Sequence, residues 1–327
     1  MNDHPIIITG GAGFIGSGVV QRLLRDGIAV RVLDNFDPFY AESIKRGNVA
    51  RCAELVGPGA RFELIEGDFR DAATCDRVLA GVDGVVHLGA LAGVRPSILE
   101  PSRYMDVNVR GTQVLLDAVT RRGEDLRFVF ASSSSVYGGN TRVPFRESDP
   151  VDHPVSPYAA SKKAGELICY THHHLVGTPM TCLRFFTVYG PGQRPEMAIH
   201  KFSRLLMDGE PIPMFGDGTT LRDYTYVDDI VDGVVAALHR ADGFHVFNLG
   251  GSQTTDLTTL IATLEQVFDR RARIERLPEQ AGDVRRTWAD TSLAQRELGF
   301  APRVSIEDGL RRFADWYLTE RRAGRIG

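Results

Sequence analysis

Tyr158 and Lys162, four residues apart, are the side chains in this sequence whose types and spacing best suggest chemistry. Residues at positions i and i+4 of a helix share one face, so a phenol and an ammonium can act together there. A free tyrosine has a pKa of about 10 and is a poor base near neutral pH. A nearby positive charge favours the phenolate and lowers that pKa. The pair is therefore predicted to move a proton on and off an alcohol.

A run of four serines, residues 132–135, precedes this pair and follows a predicted strand over residues 127–130. Ser133 is the best candidate for a hydroxyl that shares the substrate oxygen with the tyrosine, and Ser134 is the next. An ordinary amphipathic helix with an exposed lysine could show the same spacing by chance. The serine run and the glycine-rich loop described next favour the catalytic interpretation.

Three glycines at three-residue spacing, Gly10, Gly13 and Gly16, lie between a β-branched apolar run (residues 5–9) and a helical pattern (residues 14–26). Glycine permits a tight turn and close approach of a phosphate. The N–H groups of the loop and the N-terminus of the helix favour an anion. A strand, this loop and a helix in that order predict a binding site for the pyrophosphate of a dinucleotide.

Asp34 ends the next predicted strand, residues 29–33. Its carboxylate is expected to accept hydrogen bonds from the ribose hydroxyls of NAD and to repel the 2′-phosphate of NADP. Asp68, after the strand of residues 62–66, could reach the adenine amine, and Lys162 could hold the nicotinamide ribose. The residues predicted to bind NAD are Gly10, Gly13, Phe14, Ile15, Gly16, Asp34, Asn35, Asp68, Phe69, Leu88, Gly89, Ala90, Tyr158, Lys162 and Phe185.

Composition agrees with an enzyme that acts on a small molecule. The chain has 327 residues and a net charge of −4, and it has no basic tract typical of nucleic-acid binding. It contains no run of eighteen apolar residues, and the first predicted strand starts at residue 5, so neither a membrane span nor a signal peptide is expected. The four cysteines lack CxxC spacing, which favours reduced thiols and a cytoplasmic location.

Predicted strands and helices alternate through about residue 185 and become looser after residue 190. This order predicts an α/β fold: a Rossmann-type doubly wound parallel sheet with a smaller α/β C-terminal substrate domain. We expect residues 1–185 to form the NAD-binding domain with the catalytic residues. Residues 186–327 are expected mainly to bind the substrate, with some chain returning to the first domain.

The motifs GGAGFIG, SSSSVYG and YAASK, at these separations, resemble the extended short-chain dehydrogenase/reductase family of nucleotide-sugar epimerases and dehydratases. This resemblance implies tightly held NAD, catalytic roles for Ser133, Tyr158 and Lys162, and a homodimer built on a four-helix bundle. The bundle helices are expected at 104–119 and 158–175, with Leu115, Leu116 and the histidines at 172–174 partly exposed there. Consecutive helical residues point in different directions, so these histidines are not expected to bind one metal ion, and no metal site is predicted.

Five shorter segments resemble UDP-glucuronate 4-epimerases more narrowly: residues 34–40 (DNFDPFY), 43–46 (SIKR), 92–97 (AGVRPS), 184–191 (RFFTVYGP) and 193–198 (QRPEMA). UDP-glucose 4-epimerases usually have asparagine at the position of Thr187. Dehydratases carry an Asp-Glu pair at the positions of Ser134 and Ser135, and uronate decarboxylases carry glutamate at the position of Ser135. The hydroxyls of this chain therefore favour a substrate carboxylate over elimination of water.

The substrate is expected to lie along the C-terminal part of the chain. Ser134, Ser135 and Thr187 are predicted to hold the carboxylate, and Arg222 is predicted to grip the diphosphate. Arg194 is a second candidate for the diphosphate, and Asp283 or Arg286 could meet the uridine ribose or a phosphate. The residues predicted to bind the substrate are Val94, Arg95, Ser134, Ser135, Thr187, Arg194, Arg222, Asp283 and Arg286.

Three other functions remain open from the sequence. The chain could be a 4-epimerase of UDP-glucose or of an N-acetylhexosamine derivative, which needs no carboxylate. It could be a UDP-uronate decarboxylase, which releases CO2. It could also be an NAD-binding sensor without turnover, although a sensor has no use for the Ser133, Tyr158 and Lys162 set.

Overall fold

The structure is a computed structural model that describes residues 4–57, 61–123, 126–240, 242–278 and 284–326. In chain order the strands of these residues are β1 (Ile6–Thr9), β2 (Val30–Asp34), β3 (Phe62–Glu66), β4 (Gly84–His87), β5 (Arg127–Ser133), β6 (Met180–Phe185), β7 (Thr187–Tyr189), β8 (Pro211–Phe215), β9 (Leu221–Arg222), β10 (Tyr224–Tyr226), β11 (Phe244–Leu249), β12 (Thr255–Asp256) and β13 (Arg273–Leu277). The α-helices are α1 (Phe14–Arg25), α2 (Glu42–Ala53), α3 (Ala72–Leu79), α4 (Val94–Leu99), α5 (Pro101–Tyr104), α6 (Gly111–Arg122), α7 (Pro157–Val176), α8 (Ala198–Asp208), α9 (Val227–His239), α10 (Leu257–Phe268), α11 (Ser292–Leu298) and α12 (Ile306–Arg322). A π-helical turn, Met105–Arg110, joins α5 to α6, and a 3-10 turn, Ser134–Tyr137, follows β5.

Seven parallel strands form one sheet in the order β11-β6-β5-β4-β1-β2-β3. Its central strands β1, β4 and β6 are buried on both faces, because helices cover both sides of the sheet. In β1, for example, Ile6 and Ile8 pack into the core that includes residues of α1 and α9, while Ile7 packs into the core that includes residues of α3 and α6. The predicted Rossmann-type doubly wound sheet is confirmed, and the carboxyl ends of its strands meet along one edge.

The loop between β1 and α1 depends on glycine at close range. A Cβ atom on Gly16 would lie 2.2 Å from the carbonyl oxygen of Gly10, so no other residue fits without moving the backbone. Gly10 has a φ of +68°, in the left-handed region that favours glycine. The first turn of α1 is therefore held against the end of β1, with its N–H groups facing the same edge of the sheet.

Helix α7 carries the tyrosine and the lysine, and its ends follow standard capping rules. The hydroxyl of Ser156 accepts a hydrogen bond from the N–H of Ala159 at 3.1 Å, Pro157 occupies the first turn, and Gly177 ends the helix in a left-handed conformation. A Cβ on Gly165 would lie 2.2 Å from the ring of Phe130 on β5. This glycine lets α7 pack closely on β5, which brings Tyr158 and Lys162 to the carboxyl end of that strand.

The chain after β6 forms small two-stranded sheets. They pair β7 with β10, β9 with β12 and β8 with β13, and α10 packs against α8 and α12. Strand β11 returns to the main sheet beside β6, and α9 packs against α1. Some chain after residue 186 thus lies on the large sheet, whereas the domain boundary at residue 185 stays a prediction.

Some expected exposures were wrong. Leu115 and Leu116 are fully buried in the core that packs α6 against α3, and His172 is buried with its Nε2 within hydrogen-bond distance of Thr178 Oγ1 at 3.1 Å. The exposed apolar side chains of α7 are instead Leu167, Tyr170, Leu175 and Val176. Among the described residues, no helix is both long and apolar enough to cross a membrane, and no group of three or more His, Cys, Asp or Glu side chains could hold a metal ion.

Candidate active site

A cavity of about 530 Å³ opens at the carboxyl edge of the sheet. Its wall contains all three predicted catalytic residues and most of the predicted ligands of the cofactor and the substrate. The predicted residues that line it are Gly10, Gly13, Phe14, Ile15, Gly16, Asp34, Asn35, Phe69, Leu88, Gly89, Ala90, Val94, Arg95, Ser133, Ser134, Ser135, Tyr158, Lys162, Phe185, Thr187, Arg194 and Arg222. The structure therefore brings together predicted site residues that lie as far apart in the sequence as Gly10 and Arg222.

Ser133 is the last residue of β5, which is longer than the strand predicted over residues 127–130. Its hydroxyl oxygen accepts hydrogen bonds from the Ser135 hydroxyl at 2.8 Å and from the Ser135 N–H at 3.2 Å. The ring of Tyr104 packs edge-on against the ring of Tyr158, with centroids 6.2 Å apart. Ser133 and Tyr158 also hydrogen-bond each other through their side chains, so the two hydroxyl groups lie together in the cavity wall.

Burial dominates the electrostatics of the catalytic groups. It raises the pKa of Tyr158 above its ordinary value, while a hydrogen bond with Ser133 and the positive charge of Arg194 act to lower that pKa. Burial also lowers the pKa of Lys162 to about 8. The Lys162 ammonium donates a hydrogen bond to the carbonyl of Ala131 at 2.7 Å. The expected lowering of the Tyr158 pKa by Lys162 stays a prediction, and it concerns the protein with positively charged NAD bound.

Asp34 lies at the end of β2 and is held by the backbone. Its carboxylate accepts hydrogen bonds from the N–H of Phe36 at 2.9 Å and the N–H of Ala12 at 3.1 Å. Burial raises the pKa of Asp34, and the bond from Phe36 and the charge of Lys45 oppose that rise. Because the Ala12 bond ties the carboxylate to the glycine loop, this acid is oriented before any ligand binds.

Two predicted ligands, Asp68 and Arg286, are not part of the cavity lining, and a third, Asp283, is not among the described residues. The Asp68 carboxylate is outside the cavity lining, where it pairs with Arg70 at 2.6 Å and accepts a bond from Asn35 at 2.9 Å. Arg286 also lies outside the lining, next to Thr287, which belongs to it, and its guanidinium stacks over the ring of Trp288 at 4.7 Å. Asp283 falls outside the described residues. The roles of these three residues stay predictions.

The part of the cavity wall that contains Thr187 and Arg222 is formed by separate segments of the chain. Thr187, the first residue of β7, donates its N–H to the carbonyl of Asp223 at 3.1 Å, which fixes it beside Arg222. The fully buried Asp223 carboxylate accepts bonds from the N–H groups of Gly251 at 2.6 Å and Ala289 at 3.0 Å. Burial raises the pKa of Asp223 to about 6. This carboxylate thus ties the segments at Gly251 and Ala289 to the residue that directly follows Arg222.

Tyr40 and Lys45 also line the cavity, although the sequence analysis assigned neither of them a ligand role. Among the described residues, the buried Tyr40 hydroxyl has no hydrogen-bond partner. The Lys45 ammonium lies 4.7 Å from the Tyr40 ring centroid and donates a hydrogen bond to the Asp37 carbonyl at 2.6 Å. They follow Asp34 on a loop and in α2 without periodic spacing, so no sequence pattern indicates that they turn toward the glycine loop.

The residues present fit a dinucleotide. A Cβ on Gly10 would lie 2.8 Å from the backbone of Gly89, so the strand ends and the loop form a wall free of side chains at that point. The buried Tyr40 hydroxyl supplies a donor that still needs a partner. Asp34 supplies a fixed acceptor for ribose hydroxyls. A bound phosphate and ribose would satisfy these groups.

The fold and this site together define an enzyme of the Rossmann class that works on an alcohol beside a bound dinucleotide. The family model "NAD dependent epimerase/dehydratase family" matches residues 6–250, and the chain belongs to this family, whose cofactor is NAD. The chain is 43% identical over 333 residues to UDP-glucuronate 4-epimerase 3 of Arabidopsis thaliana, covering 96% of this chain and 76% of that protein. It is 40% identical to the UDP-glucuronate 4-epimerase of Thermodesulfobacterium geofontis, over 95% of each chain. A crystal structure of UDP-glucuronic acid 4-epimerase from Bacillus cereus, in complex with UDP-glucuronic acid and NAD, has a TM-score of 0.89 and 36% identity over 96% of this chain and 99% of that one.

Proposed function

We propose that this protein is an NAD-dependent 4-epimerase that converts UDP-glucuronate to UDP-galacturonate. The observation that carries the proposal is one cavity wall in which Ser133 and Tyr158 adjoin three further hydroxyls, those of Ser134, Ser135 and Thr187. The relatives with 43% and 40% identity are UDP-glucuronate 4-epimerases, which supports the same substrate.

In this mechanism, Tyr158 takes the proton of the sugar's 4-hydroxyl, and Ser133 hydrogen-bonds the same oxygen. NAD, when bound, supplies a reversible hydride acceptor beside C4. The 4-keto sugar then turns about its diphosphate linkage and presents its other face. Tyr158 returns its proton to the oxygen as C4 is reduced from that face, so C4 is inverted and the acid/base ends in its starting state.

The enzyme must prevent decarboxylation of the 4-keto intermediate, because a 4-keto uronate is a β-keto acid that can lose CO2. Desolvation of the carboxylate would promote that loss, whereas hydrogen bonds from neutral donors oppose it. Ser134 and Ser135 lie on the turn directly after the proposed catalytic serine, and Thr187, the first residue of β7, lines the same cavity. We assign these three hydroxyls to the substrate carboxylate.

The nucleotide end is assigned to cations of the cavity wall. Arg222 and Arg194 line it on the C-terminal side, and Arg95 lines it from α4. The Arg95 guanidinium lies 5.4 Å from the ring centroid of Phe215, so α4 meets the C-terminal segments across the cavity. A guanidinium binds a diphosphate through paired N–H groups, which anchors the nucleotide while the sugar turns.

The test is product analysis by NMR with UDP-glucuronate and UDP-glucose in parallel reactions. The proposal expects UDP-galacturonate from the first substrate, little product from the second, and no pentose. Conversion of UDP-glucose at an equal or higher kcat/KM would favour the neutral-sugar epimerase. A UDP-pentose as the main product would favour the decarboxylase, and no turnover of either substrate would favour the sensor.

We also propose that the protein works as a homodimer in the cytoplasm, joined through α7 and the segment from α5 to α6. Leu167, Tyr170 and Leu175 form a stripe at helical spacing on α7 and are 54%, 52% and 74% exposed, which a partner helix could cover. The buried, free thiols of all four cysteines are compatible with a reducing compartment. Light scattering should give a mass near 72 kDa, twice the 36.0 kDa of one chain, and Leu167→Glu should halve it. A monomeric wild type that retains epimerase activity would contradict the dimer.

A further inference from the structure

A buried ion pair lies beside the catalytic helix and takes no part in the chemistry proposed above. Glu166 lies on α7, one turn beyond Lys162, and Arg184 lies on β6; their side chains are 2% and 3% exposed. Two nitrogens of Arg184 donate to the two carboxylate oxygens of Glu166 at 2.8 and 2.9 Å. Burial of two charges carries a large desolvation cost, so such a pair is weak evidence for added stability. The position of the ion pair, between the helix that carries Tyr158 and the neighbouring strand β6, suggests a role in arranging the site.

The carboxylate of the pair connects α7 to the strand that carries the proposed catalytic serine. Glu166 accepts a hydrogen bond from the Ser132 hydroxyl at 2.7 Å, and Ser132 lies opposite Arg184 on the neighbouring strand. One turn earlier, Lys162 bonds to the carbonyl of Ala131 at 2.7 Å. Two successive turns of α7 are thus tied to two successive residues of β5, directly before Ser133.

The guanidinium of Arg184 connects Glu166 on α7 to the 3-10 turn that follows Ser133. Arg184 donates from Nη1 to the Tyr137 hydroxyl at 3.0 Å, and this hydroxyl donates to Asn248 Oδ1 at 2.7 Å. Tyr137 ends the 3-10 turn that carries Ser134 and Ser135. The ion pair therefore touches elements on both sides of Ser133, as well as the helix that carries Tyr158.

We propose that Glu166 and Arg184 act as a positioning pair: they fix Ser133 relative to Tyr158, and their opposite charges cancel at the Tyr158 hydroxyl. This inference rests on the proposed function, because it presupposes the acid/base role of Tyr158. Neither residue touches the reacting atoms. Removal of one member should therefore change the electrostatic potential at Tyr158, with a sign that depends on which member is removed.

The expected shift follows from distance and charge. Tyr158 and Glu166 are eight residues apart on one helix, which is a rise of about 12 Å. One unbalanced charge at that distance and an effective dielectric constant of about 20 corresponds to about one pH unit in a neighbouring pKa. The groups that face Tyr158 are Ser133, Tyr104 and Arg194, with Lys162 one turn further along the same helix. Those that face the pair are Ser132, Lys163, Tyr137, Glu147 and Cys182. Lys163, 3.2 Å from Glu166, remains to balance Glu166 when Arg184 is replaced, so that shift should be smaller.

The experiment measures kcat/KM of the NAD-loaded enzyme against pH for UDP-glucuronate. Activity rises with pH as Tyr158 loses its proton. Glu166→Gln leaves the positive charge and should move this rise downward by about 0.5 to one pH unit. Arg184→Gln leaves the negative charge and should move it upward by about 0.5 unit or less. The double variant should return the rise to its wild-type position. Lys163→Gln removes a second positive partner of Glu166, 3.2 Å away and 22% exposed, and should therefore move the rise in the same upward direction as Arg184→Gln.

Shifts of the two single variants in the same direction, or no shift in either, would overturn the electrostatic part. If one single variant does not fold, the other single variant and Ser132→Ala remain decisive. Ser132→Ala cuts only the link from Glu166 to β5 and should lower kcat about tenfold with KM within twofold; an unchanged kcat would overturn the positioning part. Loss of activity in Tyr158→Phe, measured alongside, separates these failures from a failure of the proposed function.

Discussion

Asp34 is expected to decide both how tightly NAD is held and whether NADP is excluded. Each of its carboxylate oxygens accepts one backbone N–H, from Ala12 or Phe36, so the remaining acceptor positions are free to meet ribose hydroxyls. Asp34→Asn keeps the shape and removes the charge. Loss of a hydrogen bond to a charged acceptor costs about 1.5–3 kcal/mol. The Kd for NAD should therefore rise roughly 10- to 150-fold, while the Kd for NADP should rise less or fall, because the charge that repels the 2′-phosphate is gone.

Calorimetric titration of nucleotide-free protein with both cofactors measures this effect. Glu66→Gln is the matched control, because Glu66 lies opposite Asp34 in the sheet but is exposed and paired with Arg46. Its Kd for NAD should stay within twofold of the wild type. Wild-type affinity for NAD in Asp34→Asn would refute the reasoning, as would an equal loss in the control or a wild type that prefers NADP.

Four other outcomes are expected. Tyr158→Phe should fold and bind NAD but lose turnover by at least a thousandfold in kcat, and near-normal epimerisation would remove Tyr158 from the mechanism. Lys162→Met should lower kcat, move the pH optimum upward and weaken NAD retention; an unchanged pH profile would count against a phenolate favoured by Lys162. Thr187→Val or Ser135→Ala should lower kcat/KM for UDP-glucuronate by roughly 10- to 150-fold, lower any UDP-glucose turnover far less, and release some UDP-4-keto-pentose. Equal losses on both sugars with unchanged products would show that these hydroxyls serve only the fold. Because burial raises the pKa of Asp223 to about 6, its folded carboxyl binds a proton more tightly than in the unfolded chain, and this contribution favours the fold as pH falls from about 6 to 4. Relative to Asp223→Asn, the wild type should gain about 2 kcal/mol of unfolding free energy between pH 7 and pH 4, measured by denaturant titration; a constant difference would contradict the raised pKa.

The sequence predicted the parts of the fold and site that depend on local chemistry. Three spaced glycines between an apolar strand and a helix indicated the loop at Gly10, and alternating strand and helix patterns indicated the doubly wound parallel sheet. The structure extends β5 to Ser133, where polar residues obscured the strand pattern. The exposure of Leu115 was mispredicted, because the partners of a helix face depend on which helices pack together, here α3 and α6.

Long-range contacts account for the features that the sequence did not indicate. The Glu166–Arg184 pair joins positions 18 residues apart on a helix and a strand, and neither residue alone differs from an ordinary surface charge in sequence. Tyr40 turns its hydroxyl toward the glycine loop through an irregular segment after β2. Asp68 was predicted as an adenine ligand from its place at a strand end, yet the side chain that engages it, Arg70, follows two residues later on a loop whose course no periodicity reveals.

The central claim is that C4 is inverted by removal and return of the same hydride, with Tyr158 handling only the hydroxyl proton. The most direct measurement follows UDP-glucuronate carrying deuterium at C4, converted by the NAD-loaded enzyme in ordinary water and analysed by NMR and mass spectrometry. The account expects UDP-galacturonate that retains the deuterium at C4, with a slower rate than for the unlabelled sugar. Epimerised product that has lost the label to solvent would contradict it, because C4 would then be inverted by proton exchange at carbon and not by hydride transfer.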